Sequence, residues 1–131
     1  MRRFILIFAI CTGVLWGGPV GADDEFGDYI RASDAFRRGD YAEAFDIFRV
    51  LAEKGDHIPA AQFKLGLLYS NGRGGVLQNY VQAHKWFNLS AAQGDMDARM
   101  AELLRDRLAK KMTPAQIAEA QRLAAEWRPK K

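Results

Sequence analysis

The sequence predicts an all-α fold, a solenoid fragment of about three antiparallel helical hairpins. Three observations predict it. Apolar residues recur at helical spacing along most of the chain, and no stretch alternates like a strand for long. Gly, Asp and Asn interrupt that pattern at short intervals: Gly39-Asp40, Gly55-Asp56, the run 71–75 and Gly94-Asp95. Pro stands only at positions 19, 59, 114 and 129, outside every expected helix interior.

The first 22 residues read as a secretory signal. Arg2 and Arg3 form a positive head, and residues 4–16 are uncharged and mostly apolar. Gly17, Gly18 and Pro19 break the run, and Val20-Gly21-Ala22 places small residues before Asp23-Asp24-Glu25. A retained anchor fits less well, because the apolar run is shorter than the roughly 20 residues of a spanning helix. Cys11, the only cysteine, lies inside this run, and Ile10 before it is too large for a lipoprotein site. Cleavage after Ala22 leaves a domain, 23–131, with no thiol, held together by its core alone. Residues 23–98 carry net charge −4 and residues 99–131 carry +5. A nearly neutral total gives no reason to expect a nucleic-acid partner. The basic end offers Lys110, Lys111, Arg128, Lys130 and Lys131 to an anionic surface. The expected membrane contact is through the signal before cleavage.

Six helices follow in order. The first spans about 26–38, with Tyr29, Ala32, Ser33 and Phe36 on one face. The second starts after Asp40, a good N-cap, and runs to about 54. The third starts at Pro59, suited to a first turn, and runs to about 70. The fourth covers about 78–93 and the fifth about 96–110. The sixth has the clearest start: Thr113-Pro114-Ala115-Gln116 is a capping box, and its helix continues to about 127. Its stripe of Ile117, Ala120, Leu123, Ala124 and Trp127 is expected to pack on the fifth helix, against Met100, Leu104 and Leu108.

The second and fourth helices repeat. Tyr41, Ala44, Phe48, Ala52, Gly55 and Asp56 match Tyr80, Ala83, Phe87, Ala91, Gly94 and Asp95, each pair at the same offset. The alanines let helices approach closely, Phe48 and Phe87 are expected between hairpins, and Gly55 and Gly94 end their helices with positive φ.

The segment 61–95 makes the pattern specific. It reads Ala61-x-x-x-Leu65-Gly66-x-x-Tyr69, then Gly72-x-Gly74-Gly75-Val76, then Ala83-x-x-Trp86-Phe87 leading to Ala91, Ala92 and Gly94. This closely resembles one complete unit of the Sel-one-like repeat (SLR) family, with one extra loop Gly before Val76. Residues 34–56 resemble a related tetratricopeptide hairpin, and 112–127 resemble the closing helix that follows such repeats. The complete unit spans about 61–98 and the closing helices about 96–127. The resemblance implies a right-handed solenoid whose first-hairpin helices line a concave side, and a module that binds proteins. It places Arg31, Asp34, Arg38, Gln62 and Arg73 as groove candidates.

The residues themselves add little chemistry. His57 and His84 are the only histidines and lack the close spacing of a metal pair; ordinary surface or edge packing suits them. Ser33, Ser70 and Ser90 sit in no nucleophile turn. The loop 72–75 has neither the preceding strand nor the following Lys-Ser/Thr of a phosphate loop. Asp95 and Asp97 read as helix-start charges. Tyr69, Trp86 and Phe87 read as core. Phe63 and Leu67 either pack on the preceding hairpin or line an open groove. The expectation is therefore a non-catalytic scaffold or adaptor with a protein partner and no cofactor or metal. Its address is the periplasm, the wider bacterial envelope or the outside of the cell. The rival is an envelope hydrolase, or a regulator of one, with an unrecognised surface site.

Overall fold

A computed structural model describes residues 24–55 and 58–130; the expected signal segment and His57 lie outside them. α1 (Glu25–Arg38) begins where the Asp24 carboxylate accepts the Gly27 N–H at 3.0 Å. A two-residue turn leads to α2 (Tyr41–Lys54). Asp40 occupies its N-cap position but makes no cap bond, because its carboxylate is turned to Arg38 at 3.5 Å. α3 (Pro59–Asn71) starts on proline as expected. α4 (Tyr80–Gln93) starts two residues later than the pattern suggests, where Asn79 accepts the Gln82 N–H at 3.0 Å. α5 (Ala98–Ala109) and α6 (Pro114–Glu126) complete the chain. The capping box of α6 is complete: the Thr113 N–H donates to Gln116 (2.9 Å), and the Gln116 N–H donates to the Thr113 hydroxyl (3.2 Å).

These helices form the helical-hairpin solenoid fragment that the sequence predicts. α3 lies at its centre between α2 and α4. It is apolar nearly all round, which suits a helix buried on every side. One core cluster joins α1, α2 and one face of α3 to Trp86 of α4, and includes Ala32, Ala44, Phe48, Leu51 and Leu65. The second joins the other face of α3 to α4, α5 and α6, and includes Phe63, Ala83, Phe87, Ala101, Leu108 and Ala120. Tyr69 packs against both.

The repeated phenylalanines sit inside their own hairpins. Phe48 is fully buried and meets Tyr29 edge-on at 5.8 Å. Phe87 lies on Gly66 and has its ring centroid 6.0 Å from that of Phe63. A Cβ at residue 66 would fall 2.7 Å from the Phe87 ring, so only glycine allows this approach. Burying each phenylalanine contributes about 1.5–3 kcal/mol. Phe63 and Leu67 face forward, into the cluster shared with α4 and α5, rather than the preceding hairpin.

The closing helix departs from its expected position. α6 lies along α4 and makes little contact with α5, so the third hairpin is splayed. Ile117 and Ala120 still join the cluster that holds Leu104 and Leu108, but Met100 remains half exposed. Trp127 supplies the physical reason. Leaning across α4 brings its ring edge-on to Trp86, with centroids 6.1 Å apart. The tail then continues to α2, where the Lys130 N–H donates to the Glu53 carbonyl at 2.7 Å and the ammonium reaches the Glu53 carboxylate at 3.0 Å.

Candidate functional site

The repeat framework is consumed by packing and turns. Ala44, Phe48, Leu65, Gly66, Ala83, Trp86 and Phe87 are buried, and Tyr41, Tyr69 and Ala91 pack at the edges of the two clusters. Gly72 and Gly94 end α3 and α4 in left-handed conformations, and Gly74 abuts the Tyr41 ring.

The proposed groove residues do not form one surface. Gln62 is fully buried; its side-chain carbonyl accepts from Gln93 at 3.3 Å, so it lines no groove. Asp34 and Arg38 share a shallow charged depression with Arg37, which pairs with Asp34. Arg31 is held by Asp28 at 3.4 Å. Arg73 stands exposed in the α3–α4 loop, where its carbonyl accepts the Val76 N–H at 3.0 Å. The basic end is partly committed too: Lys130 is paired with Glu53, and Arg128 donates to the carbonyls of Ala125 and Trp127.

An open apolar cleft lies instead between α2 and the α3–α4 loop. Ala42, Phe45, Tyr69, Gly75, Val76 and Leu77 line it, with Asp46 beside them. The loop builds the outer wall. Asn79 N–H donates to the Tyr69 carbonyl at 2.9 Å, and the Gln78 side chain donates to the Ser70 carbonyl at 2.9 Å, closing the loop onto the end of α3. The extra glycine of this loop falls at the cleft, as Gly75. Val76 turns inward and is buried, while Leu77 is 85% exposed. Phe45 and Tyr69 meet edge-on at 5.2 Å on the inner wall. Burial pushes the Tyr69 phenol above its ordinary range, with Arg49 opposing and Glu53 adding. The phenol is therefore a neutral donor at physiological pH. The arrangement suits an apolar side chain carried on a polar backbone, with Tyr69 and Asp46 to meet the polar part.

No spacing along the chain points to this cleft. Its one sequence signal is the adjacent Val76-Leu77 pair, two large apolar residues in a loop otherwise made of small and polar ones.

His84 is buried rather than at the surface or an edge, and its pKa is lowered by burial and by Arg105, against the opposing effect of Asp106. Ser90 is fully buried in α4, as a small packing residue should be. Asp97 marks the start of α5 without a side-chain cap bond, and burial and Asp95 raise its pKa against the pull of Lys64. Among the described residues, no group of three or more His, Cys, Asp or Glu is placed to hold a metal ion, and no helix is long and apolar enough to cross a membrane.

Comparison with known families matches residues 59–95 to the Sel1 repeat. The chain carries a Sel1 repeat. The matched Sel1 segment takes in α3, the loop that walls the cleft, and α4. Sel1 repeats mediate protein–protein interaction. No curated protein and no solved structure matches the chain.

Proposed function

We propose that the protein is an exported, non-catalytic adaptor of the bacterial cell envelope that holds a protein partner at the cleft between α2 and the Sel1 loop. The observation that carries this reading is the cleft itself. The Sel1 framework side chains are spent on packing, whereas Leu77 and the edges of Phe45 and Tyr69 remain available beside Asp46. An exposed apolar rim of this kind favours an apolar anchor residue from a partner. The N-terminal pattern of residues 1–22 supports export, with removal after Ala22.

Leu77→Asp tests the reading, because a charge at so exposed a position leaves the fold intact. Affinity capture from an envelope extract should retain one partner on the wild-type protein at near-equal stoichiometry and lose it on the variant. Equal retention by both, or none by either, removes the cleft from consideration. Export has its own readout: protein recovered from the periplasmic fraction should begin at Asp23. Protein that keeps residues 1–22 and partitions with membranes is anchored instead.

A further inference from the structure

α5 has an apolar face that nothing among the described residues covers. Met96 is 98% exposed, Leu103 57% and Met100 49%. Met100 and Leu103 stand at i and i+3 on one face of the helix, and Met96 continues that apolar surface from the turn just before the N-cap Asp97. Ala101 and Leu108, on the other side, are buried. The splayed position of α6 leaves the stripe open. It borders a shallow depression formed by Met100, Leu103, Leu104, Asp106, Arg107 and Lys110. A contiguous apolar stripe rimmed by charge marks an interaction surface.

The charges beside the stripe identify the occupant. Acidic residues stand at the start of the segment (Asp95, Asp97), and basic ones follow its middle (Arg107, Lys110). On one flank, Arg99 lies near the start and Asp106 near the end, both exposed. A second α5 laid antiparallel about a centre near residue 102 sets opposite charges against each other at both ends of the helix. Arg99 of one copy meets Asp106 of the other, a carboxylate that also accepts from Arg105 of its own chain at 2.9 Å, and Asp97 at the N-cap lies opposite Arg107. The two-fold axis repeats each contact. The Met100 side chain then falls between Leu103 and Leu104 of the second copy. The helix rise of about 1.5 Å per residue places Asp97 and Arg107 about 15 Å apart on one helix, so both ends engage at once. A parallel pairing opposes like charges at both ends.

We propose that α5 is a self-association surface, on which two copies of this chain pair antiparallel through the Met96, Met100 and Leu103 stripe. A single helix-on-helix contact is a small interface, in the class of weak and transient associations. The proposal stands independently of the cleft, since the two surfaces share no residue.

The test uses protein purified from cells expressing the full sequence, followed by sedimentation across micromolar concentrations. A monomer–dimer equilibrium is expected, weakened at least about tenfold by Met100→Glu, which puts two carboxylates into the apolar stripe. Arg99→Asp and Asp106→Arg should each weaken it about tenfold, because each turns two attractions into two repulsions. Both changes favour the dipole of α5, so thermal melting of the monomer should stay at or near the wild-type value. The double variant restores the opposite charges and should recover the dimer to within about threefold of wild type. A chain that stays monomeric at the highest concentration overturns the proposal. So does a dimer indifferent to Met100→Glu, which pairs elsewhere, or a double variant no better than the singles, which excludes the antiparallel register.

Discussion

α2 and α4 carry the same framework in different surroundings. α2 has α1 on one side and α3 on the other, with the chain end touching only its last turn. α4 is enclosed by α3, α5 and α6. Their corresponding outward positions have diverged accordingly. Ala42, Phe45, Asp46 and Arg49 on α2 match Val81, His84, Lys85 and Asn88 on α4. Phe45 and Asp46 line the open cleft. His84 is buried, Val81 joins the second cluster, and Asn88 accepts from Arg105 of α5 at 2.9 Å. The shared framework fixes how each helix meets its hairpin partner. The next element along the solenoid decides whether the equivalent face is a binding surface or core.

The largest expected effect tests the shared part. Phe48→Ala and Phe87→Ala each remove a fully buried ring, and each should cost about 3–5 kcal/mol by urea unfolding. Similar losses support a common framework. A near-wild-type value for either means that one hairpin is held by something other than its phenylalanine.

Termination of the chain after Glu126 addresses the difference in surroundings. It removes Trp127 from Trp86 and Lys130 from Glu53. The expected loss is about 2 kcal/mol, less than for a core phenylalanine because Trp127 is only partly buried. Hydrogen exchange should accelerate at the end of α2 as well as in α6, although α2 precedes α6 by sixty residues or more in sequence. Faster exchange in α6 alone would show that the tail does not tie the two halves together.

Local signals explain why most of the fold was legible in advance. Pro59, the Thr113 capping box, and the positive φ of Gly55 and Gly94 each act within a few residues. Non-local geometry explains what was missed. The apolar stripe of α6 suits either α4 or α5, and only the position of Trp86 decides between them. Gln62 reads as a surface residue until Gln93, on the other helix of the same hairpin, covers it. The cleft needs Phe45, Tyr69 and Leu77 from three elements, and no spacing along the chain announces their meeting.

Thr113→Ala has a smaller effect, about 1 kcal/mol, because it leaves the Gln116 N–H without its cap. The loss should appear in thermal melting without changing capture at the cleft, since α6 packs on α4 and contributes no residue to the cleft lining. A change in partner binding would show that the closing helix also shapes the cleft.

The smallest effect distinguishes the paired positions Phe45 and His84 by pH. Burial disfavours the His84 imidazolium, and Arg105 disfavours it further. Its folded-state pKa therefore lies below the ordinary 6.5. Between that lowered value and 6.5 the unfolded chain binds more protons than the folded one, so stability rises with pH across this window. The contribution of neutral His84 is fully present above 6.5 and is lost as pH falls through the folded-state pKa. His84→Phe gives α4 the residue that α2 already has at this position. Urea midpoints measured from pH 7.5 to pH 5 should fall more steeply for the wild type than for the variant. Carboxylates such as Asp97 titrate in both proteins and cancel in the difference. Parallel curves would mean that the imidazole ionises in place, and that the face of α4 covered by α5 is as open to water as the cleft on α2.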